Sequence, residues 1–301
     1  VQSSSMQRVL PVMFLVVTAA QMGIADGTDD AKTVSRAFIK RAVQRGQEDE
    51  HGGGRRIIGG IKATGEYEWV TKITKLGGSS TTCTGELIGE RWMLTAAHCI
   101  LNSGNTGYKS AMPATNTVVV YGCLNVGDAS CRTVNAVRYI AHPCYTPSND
   151  QDHDDIALIQ LSEPVTGMTG KFALVNGLNG TVSVNDQDDV ILAGYGATSA
   201  SGWSSPSDLM QVTVAKTSKA RCEQQNPFAV RMRYINFDHV ICTGGGAGKD
   251  SCNGDSGGPA IVQRGSEFWL VGTLSIGSEL PSHTGDCAVE GRLAVYTAVD
   301  K

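Results

Sequence analysis

The chain has 301 residues, with 25 Lys and Arg against 29 Asp and Glu, so its formal net charge is −4. No long basic run occurs, which excludes the usual electrostatic footprint of a nucleic-acid-binding protein. Charged residues make up only 18% of the chain. This modest share is typical of a secreted globular protein rather than a disordered one.

The first 25 residues are predicted to be a signal peptide. Arg8 precedes an apolar run from residue 9 to residue 20, and small residues follow, which is the order of such a segment. Cleavage is expected after Ala20 or Ala25, with Met6 as the start of translation. The apolar run is too short to span a bilayer as a helix, and no second long run follows. We therefore expect a secreted, extracellular protein without a membrane partner.

Residues 26–56 are predicted to be an activation propeptide. Residues 28–45 fit either a partly amphipathic helix or a solvated, mobile leader, since the segment is charged and poor in apolar residues. Three glycines then precede Arg55 and Arg56, and Ile57-Ile58-Gly59-Gly60 follows. A dibasic pair next to a glycine linker is accessible to proteases. Cleavage after Arg56 would make Ile57 a new N-terminus.

The remaining residues, 57–301, predict an all-β domain. Short apolar runs alternate with turns rich in Gly, Asn, Ser and Pro, and little helical pattern lies between them, as in a sandwich or barrel. The predicted strands are 70–76, 87–94, 117–122, 136–141, 156–161, 190–192, 209–215, 260–263, 269–276 and 293–299.

The nine cysteines indicate disulfides rather than zinc. No Cys-x-x-Cys pair is present, so the ligand spacing of a structural zinc site is missing. A disulfide framework formed in an oxidising compartment is the better interpretation, and the odd number leaves at least one thiol over. We expect no metal and no cofactor.

Three short motifs carry the chemistry. The stretch 250–259 reads Asp-Ser-Cys-Asn-Gly-Asp-Ser-Gly-Gly-Pro, with Ser256 among glycines that allow tight backbone geometry. The N–H groups of Gly254 and Ser256 could converge there as an oxyanion hole. His98 lies in Thr-Ala-Ala-His-Cys, residues 95–99, and Asp155 opens Asp-Ile-Ala-Leu, residues 155–158. Together these motifs resemble the trypsin-like, chymotrypsin-fold serine proteases over about residues 57–299.

The resemblance implies two packed six-stranded Greek-key β-barrels with the active site in the cleft between them. It also implies a triad in which Ser256 attacks the scissile carbonyl and His98 transfers the proton. Asp155 would hold the His98 tautomer. Asp154 is the rival for that role; Asp155 is chosen because it directly precedes Ile-Ala-Leu, so Asp154 should point away or to solvent.

The resemblance also assigns substrate-binding residues. Asp250 stands where trypsins have the carboxylate of the primary specificity pocket, which predicts cleavage after Arg or Lys. Ser275 matches the position whose hydroxyl supports the aspartate of the triad, and Gly277 matches a glycine of the pocket wall. The strand 275–277 would pair with the substrate backbone. Ala294 stands where the family usually has a pocket glycine, which would change the preference for Arg over Lys in the substrate. Ile276 stands where the family usually has a tryptophan.

Activation and the cysteine framework follow from the same resemblance. After cleavage at Arg56, the Ile57 ammonium would pair with Asp255 and order the oxyanion loop. The implied disulfides are Cys83–Cys99, Cys222–Cys242 and Cys252–Cys287; Cys123–Cys131 is inferred from spacing alone. Cys144 is then left over, either free or displacing one member of that local pair.

Several features depart from the family pattern or stay outside its motifs. The family usually continues into a C-terminal helix, whereas this sequence stops two residues after Val299, either as a fragment or without the helix. Asn179 begins a glycosylation sequon. The remaining histidines are interpreted as surface or packing residues: His51, His142, His153, His239 and His283.

Two function classes remain. The first is a secreted endopeptidase that acts on protein or peptide substrates and is subject to protein inhibitors. The alternative is a non-catalytic protease homologue that acts as a binding or inhibitory protein. The complete set of His98, Asp155 and Ser256 favours the enzyme.

Overall fold

The computed structural model describes residues 57–75, 83–101, 114, 117–145, 154–168, 171–197, 206–227, 235–244, 246, 248–278 and 287–301. The predicted signal peptide, the propeptide with Arg56, the 28–45 helix, His51, His153 and His283 lie outside these residues. Within the described ranges, no helix has both the length and the apolar character needed to cross a membrane.

The described residues form short strands and two short helices, α1 (Ala97–Ile100) and α2 (Lys219–Gln225), with a 3₁₀ turn at Gly65–Tyr67. In chain order the strands are β1 (Ile61–Lys62), β2 (Val70–Lys75), β3 (Cys83–Gly89), β4 (Trp92–Thr95), β5 (Thr117–Tyr121), β6 (Arg132–Ala141), β7 (Ala157–Leu161), β8 (Leu174–Val175), β9 (Asp189–Gly194), β10 (Met210–Thr217), β11 (Val240–Gly244), β12 (Pro259–Arg264), β13 (Glu267–Gly277) and β14 (Leu293–Ala298).

The strands close into two antiparallel six-stranded barrels. The first has the order β2–β3–β4–β7–β6–β5, and β5 pairs back with β2. The second runs β9–β10–β11–β14–β13–β12 and closes because β12 pairs with β9. β1 adds to β10, and β8 adds in parallel to β13. The all-β fold class with two barrels is thereby confirmed.

Alternation of side chains explains why the first barrel closes around a core. In β5 every second residue, Thr117, Val119 and Tyr121, is buried, as expected for a strand with one face inward. One hydrophobic cluster extends from this barrel to Tyr195, Ile261 and Leu270 of the second. The two barrels therefore share buried apolar surface, which fixes their relative position.

The strand predictions were wrong where turns and mixed composition hid the pattern. The single strand predicted over 87–94 is two strands, because Glu90 and Arg91 form a tight turn between β3 and β4. β11 was not predicted, since only its first two residues, Val240 and Ile241, are strongly apolar. β6 is longer than predicted because its exposed residues also pair with β5.

Glu86 is the least expected residue of the first barrel. It lies on β3, is fully buried, and neither carboxyl oxygen has a hydrogen-bond partner among the described residues. Burial raises the pKa of Glu86 well above its ordinary value. A buried carboxyl without a cation is protonated when folded and ionised when unfolded. Stability is then lost as pH rises above the pKa of the unfolded chain.

We predict that Glu86→Gln raises the melting temperature at pH 8 and leaves it almost unchanged at pH 4. The amide has nearly the same shape and never ionises, so it removes the proton uptake that folding requires at pH 8. About 2–4 °C is expected per kcal/mol gained in a domain of this size. Thermal unfolding at both pH values measures the effect, with exposed Glu267→Gln as the control. An equal shift at both pH values would contradict the explanation.

Candidate active site

His98 and Asp155 lie at the same end of two paired strands. β4 ends at Thr95, and His98 follows in the short helix α1, while Asp155 lies two residues before β7 begins. The strands are antiparallel and Thr95 pairs with Ala157. Residues just after one strand and just before the other therefore meet.

The Asp155 carboxylate is held by three donors. The His98 Nδ1 atom lies 2.7 Å from Oδ2, and the His98 backbone N–H donates to Oδ1 at 2.9 Å. The Ser275 hydroxyl donates to Oδ2 at 2.7 Å. Burial would raise the pKa of Asp155, but the charge and hydrogen bonds of His98 and the Ser275 hydroxyl outweigh it, and the pKa is lowered. The carboxylate is therefore ionised at neutral pH.

Ser256 comes from the second barrel and lies against the His98 turn. It precedes β12, and its carbonyl accepts a hydrogen bond from the Thr84 N–H at 2.9 Å. The Cys99 Sγ atom, one residue beyond His98, lies 3.6 Å from the same carbonyl oxygen. The structure thus brings the three predicted triad residues into one neighbourhood from the two barrels.

The loop before Ser256 presents free backbone donors. The carbonyls of Asn253 and Asp255 accept backbone N–H groups at 2.6 and 2.7 Å, which fixes the peptides that carry the Gly254 and Ser256 N–H groups. Within the described part of the chain, neither the Gly254 N–H nor the Ser256 N–H has an acceptor. Two fixed, unpaired N–H groups beside a serine can bind a developing oxyanion.

Asp250 lies at the base of the predicted specificity pocket and is 1% exposed. Its carboxylate accepts the Ser251 N–H at 2.8 Å and the Ala288 N–H at 3.4 Å. Burial raises the pKa of Asp250 to about 6, although the nearby Arg292 guanidinium opposes the rise. The group is therefore mostly ionised above pH 7.

Arg292 contacts Asp250, the carboxylate that was expected to meet a basic substrate side chain. Its Nη1 atom lies 3.5 Å from Asp250 Oδ2, and its Nε donates to the Ser278 carbonyl at 3.2 Å. A Cβ on Gly277 would lie 2.7 Å from the Arg292 Cζ atom, so the guanidinium lies directly against that pocket wall. Sequence reasoning missed this contact, because nothing in Gly-Arg-Leu, residues 291–293, shows where the side chain turns. Ala294, on β14, is fully buried.

Asp255 is buried, and no cation pairs with it among the residues that the structure describes. Its two oxygens accept the Gly196 N–H at 2.8 Å and the Cys252 N–H at 2.9 Å. Burial raises the pKa of Asp255 to about 7. Ile57 is 1% exposed, and the Asp250 N–H donates to the Ile58 carbonyl at 3.2 Å. The segment after the predicted cleavage site is therefore already seated in the second barrel.

Four disulfides join the same cysteine pairs that the sequence analysis named, and Cys144 is free. Cys83–Cys99 joins β3 to α1, and Cys252–Cys287 joins the segment before Ser256 to the segment before β14. The pairs are Cys83–Cys99, Cys123–Cys131, Cys222–Cys242 and Cys252–Cys287.

Of the two positions expected for Asp154, away from His98 or toward solvent, the structure shows the first. Its side chain is 8% exposed and lies between His142 and His239. The His239 Nδ1 atom is 2.8 Å from Asp154 Oδ1. Both histidines therefore pack against a buried carboxylate, which a sequence without spatial contacts could not reveal.

We predict that Gly257→Ala lowers the melting temperature more than Gly265→Ala. Both glycines have left-handed φ values, +79° and +64°, so both substitutions cost backbone strain. At Gly257 the new Cβ would also overlap Thr95 Oγ1 and lie 2.5 Å from the Thr84 carbonyl oxygen, whereas nothing lies within 4 Å at Gly265. Thermal unfolding compares them, and equal losses would show that the two barrels do not pack tightly at Ser256.

Comparison with known proteins agrees with this geometry. The chain matches the Trypsin family over residues 57–301. It is 32% identical over 256 residues to phenoloxidase-activating factor 3 of Holotrichia diomphalia, covering 81% of this chain and 69% of that protein. It is 29% identical over 259 residues to coagulation factor IX of Oryctolagus cuniculus, covering 81% of each.

A solved structure of neuropsin, a serine protease expressed in the limbic system of mouse brain, is also similar. The TM-score is 0.62 at 26% identity, over 80% of this chain and 94% of that chain. The family match spans every described strand of both barrels. The chain therefore belongs to the trypsin family of serine proteases.

Proposed function

We propose that the protein is a secreted serine endopeptidase, made as a zymogen that is cut after Arg56, which hydrolyses peptide bonds after Arg or Lys. The observation that supports it most directly is the 2.7 Å contact between His98 Nδ1 and the buried, ionised Asp155. That contact orients the ring so that Nε2 is available to take the Ser256 proton. Protein or peptide chains are the proposed substrates, and protein inhibitors the proposed partners.

The chemistry follows from groups already placed. Ser256 Oγ attacks the carbonyl carbon while His98 takes its proton; the N–H groups of Gly254 and Ser256 stabilise the oxyanion. His98 then gives the proton to the leaving amine, and water completes the cycle by hydrolysing the acyl-enzyme. Asp155 stabilises the imidazolium at each proton transfer because it stays ionised.

The proposed activation switch follows from the state of Asp255. In the uncut chain its carboxylate is buried, has two N–H donors and has a pKa of about 7. Cutting after Arg56 would release an α-ammonium on Ile57, which is already buried in the second barrel. An ammonium next to Asp255 would lower that pKa and hold the loop before Ser256.

We predict that an organophosphonate directed at serine labels the full chain only after cleavage at Arg56. Ser256→Ala should abolish labelling, because the attacking hydroxyl is gone. Ser266→Ala, an exposed serine in the β12–β13 turn, should label like the wild type. Labelling is followed by mass spectrometry of the modified peptide.

The outcome separates the two function classes. A folded, correctly cut chain that takes no label would overturn the proposal and favour the non-catalytic homologue. The Arg292 contact is the specific observation that favours this rival, since it already pairs the carboxylate that a basic substrate would need. Circular dichroism before and after cleavage shows that the chain is folded in both states.

Within the proposed function, Arg292 competes with substrate for Asp250. An incoming Arg side chain replaces one guanidinium by another, so its electrostatic gain is largely offset by the lost Arg292 contact. Arg292 is only 15% exposed by side chain, so leaving the pocket also requires it to move to solvent. We therefore expect weak binding of Arg and Lys substrates compared with an empty pocket.

We predict that Arg292→Ala raises kcat/KM for peptides ending in Arg by about tenfold or more, equivalent to about 1.4 kcal/mol, mainly through a lower KM. The matched control is Arg264→Ala, which removes an arginine paired with Asp188 outside the site. Binding of benzamidine, a planar cation, measures the pocket without catalysis. Unchanged benzamidine affinity would show that Arg292 does not compete.

A further inference from the structure

A cluster of metal-binding side chains lies beside the first barrel, away from the specificity pocket. His142 directly follows β6 and Asp154 closely precedes β7, and these strands pair antiparallel through Ala141 and Ala157. With Cys144, their ligand atoms all lie within 4.8 Å of one another. The strand ends thus collect three different donor types at one point.

A second imidazole comes from the second barrel and lies against the carboxylate, outside that group of three. The Nδ1 atom of His239, the residue before β11, lies 2.8 Å from Asp154 Oδ1, and His142 Nδ1 lies 3.6 Å from Oδ2. The carboxylate therefore lies between two imidazoles, one from each barrel. The Cys144 N–H donates to His142 Nδ1 at 3.3 Å, so an ion bound at that nitrogen would replace this long hydrogen bond.

Two features of this cluster are unusual for residues that only pack the core: a free thiol and a strained backbone. The other eight cysteines form disulfides, whereas Cys144 is a free, half-buried thiol in a protein predicted to fold in an oxidising compartment. Asp154 has φ +57°, a left-handed conformation that costs a non-glycine residue energy. The surrounding structure holds its carboxylate against both rings despite that cost.

We propose that His142, Cys144 and Asp154 form a binding site for a divalent transition metal ion such as Zn²⁺, with His239 orienting the Asp154 carboxylate. An imidazole, a thiolate and a carboxylate are donors that Zn²⁺ accepts, with water in the fourth tetrahedral position, whereas Ca²⁺ and Mg²⁺ require oxygen ligands. Binding would release the Cys144 proton to solvent and form the Zn–S bond. Through His239 the second barrel would support the ligand set.

The sequence expectation of no metal rested on the spacing of cysteines within a single segment. This site escapes that rule, because its ligands come from positions 142, 144 and 154 and include only one cysteine, and the fold brings them together. The other cluster of this kind in the described chain, Cys83, His98 and Cys99, lacks thiols because both cysteines are in one disulfide.

Cobalt titration of the full chain tests the site. We use Ser256→Ala protein to prevent self-digestion and expect a thiolate-to-cobalt charge-transfer band that saturates at one Co²⁺ per chain and disappears when Zn²⁺ is added. Cys144→Ser should abolish the band, and His239→Ala should weaken binding by about tenfold or more. His98→Ala is the control and should leave the band unchanged.

A second readout does not depend on how the variants fold. Zn²⁺ should slow the reaction of the single free thiol with a thiol reagent in otherwise unmodified Ser256→Ala protein, and should raise its melting temperature in a concentration-dependent way. Absence of the cobalt band at stoichiometric metal, or its loss in His98→Ala, would overturn the proposal. So would a thiol that Zn²⁺ does not protect.

Discussion

The hydrogen bonds of Thr84 hold the candidate site together. Its N–H donates to the Ser256 carbonyl, and its hydroxyl donates to the Gly254 carbonyl. Its own carbonyl accepts the hydroxyl of Thr95, the last residue of β4 before the His98 turn. One fully buried residue of the first barrel thus fixes both the loop of the second barrel and the strand that leads to His98. These bonds therefore hold the serine loop against the strand that precedes the histidine.

Buried carboxyl groups are the second theme of the molecule. Asp155 is ionised because His98 and Ser275 compensate its burial, whereas Asp255 and Glu86 have no cation among the described residues. The pKa of Asp250 is also raised by burial, but the Arg292 guanidinium opposes part of that rise. Buried carboxyl groups in this fold therefore differ in pKa according to the donors and cations that surround them.

Much of the site could be predicted from the sequence because its residues lie in short, rigid segments. His98, Asp155 and Ser256 each lie within a few residues of a strand, inside a short contiguous motif. The local sequence is therefore enough to identify them. Arg292 and Thr84 could not be found in this way. Their roles depend on contacts with residues far away in the chain, and an arginine after a glycine or a threonine in a strand has no distinctive local pattern.

The fold class could be predicted from the sequence, but the boundaries of the strands were predicted less accurately. Periodic apolar runs indicated strands, but the charged turn at Glu90 and Arg91 was hidden inside one run. Asp154 shows the opposite problem. An acidic residue before a strand is ordinarily solvated, and only the position of His239 in the other barrel explains why this one is buried.

The short bridge between Ile58 and Asp250 has a consequence for how such a molecule would switch on. The segment that follows the proposed cleavage point and the floor of the specificity pocket share a backbone hydrogen bond. Displacing either segment breaks a backbone hydrogen bond of the other, so the two are coupled before any cut. The proposed cleavage would then act on a molecule in which the carboxylate that selects the substrate is already held in place.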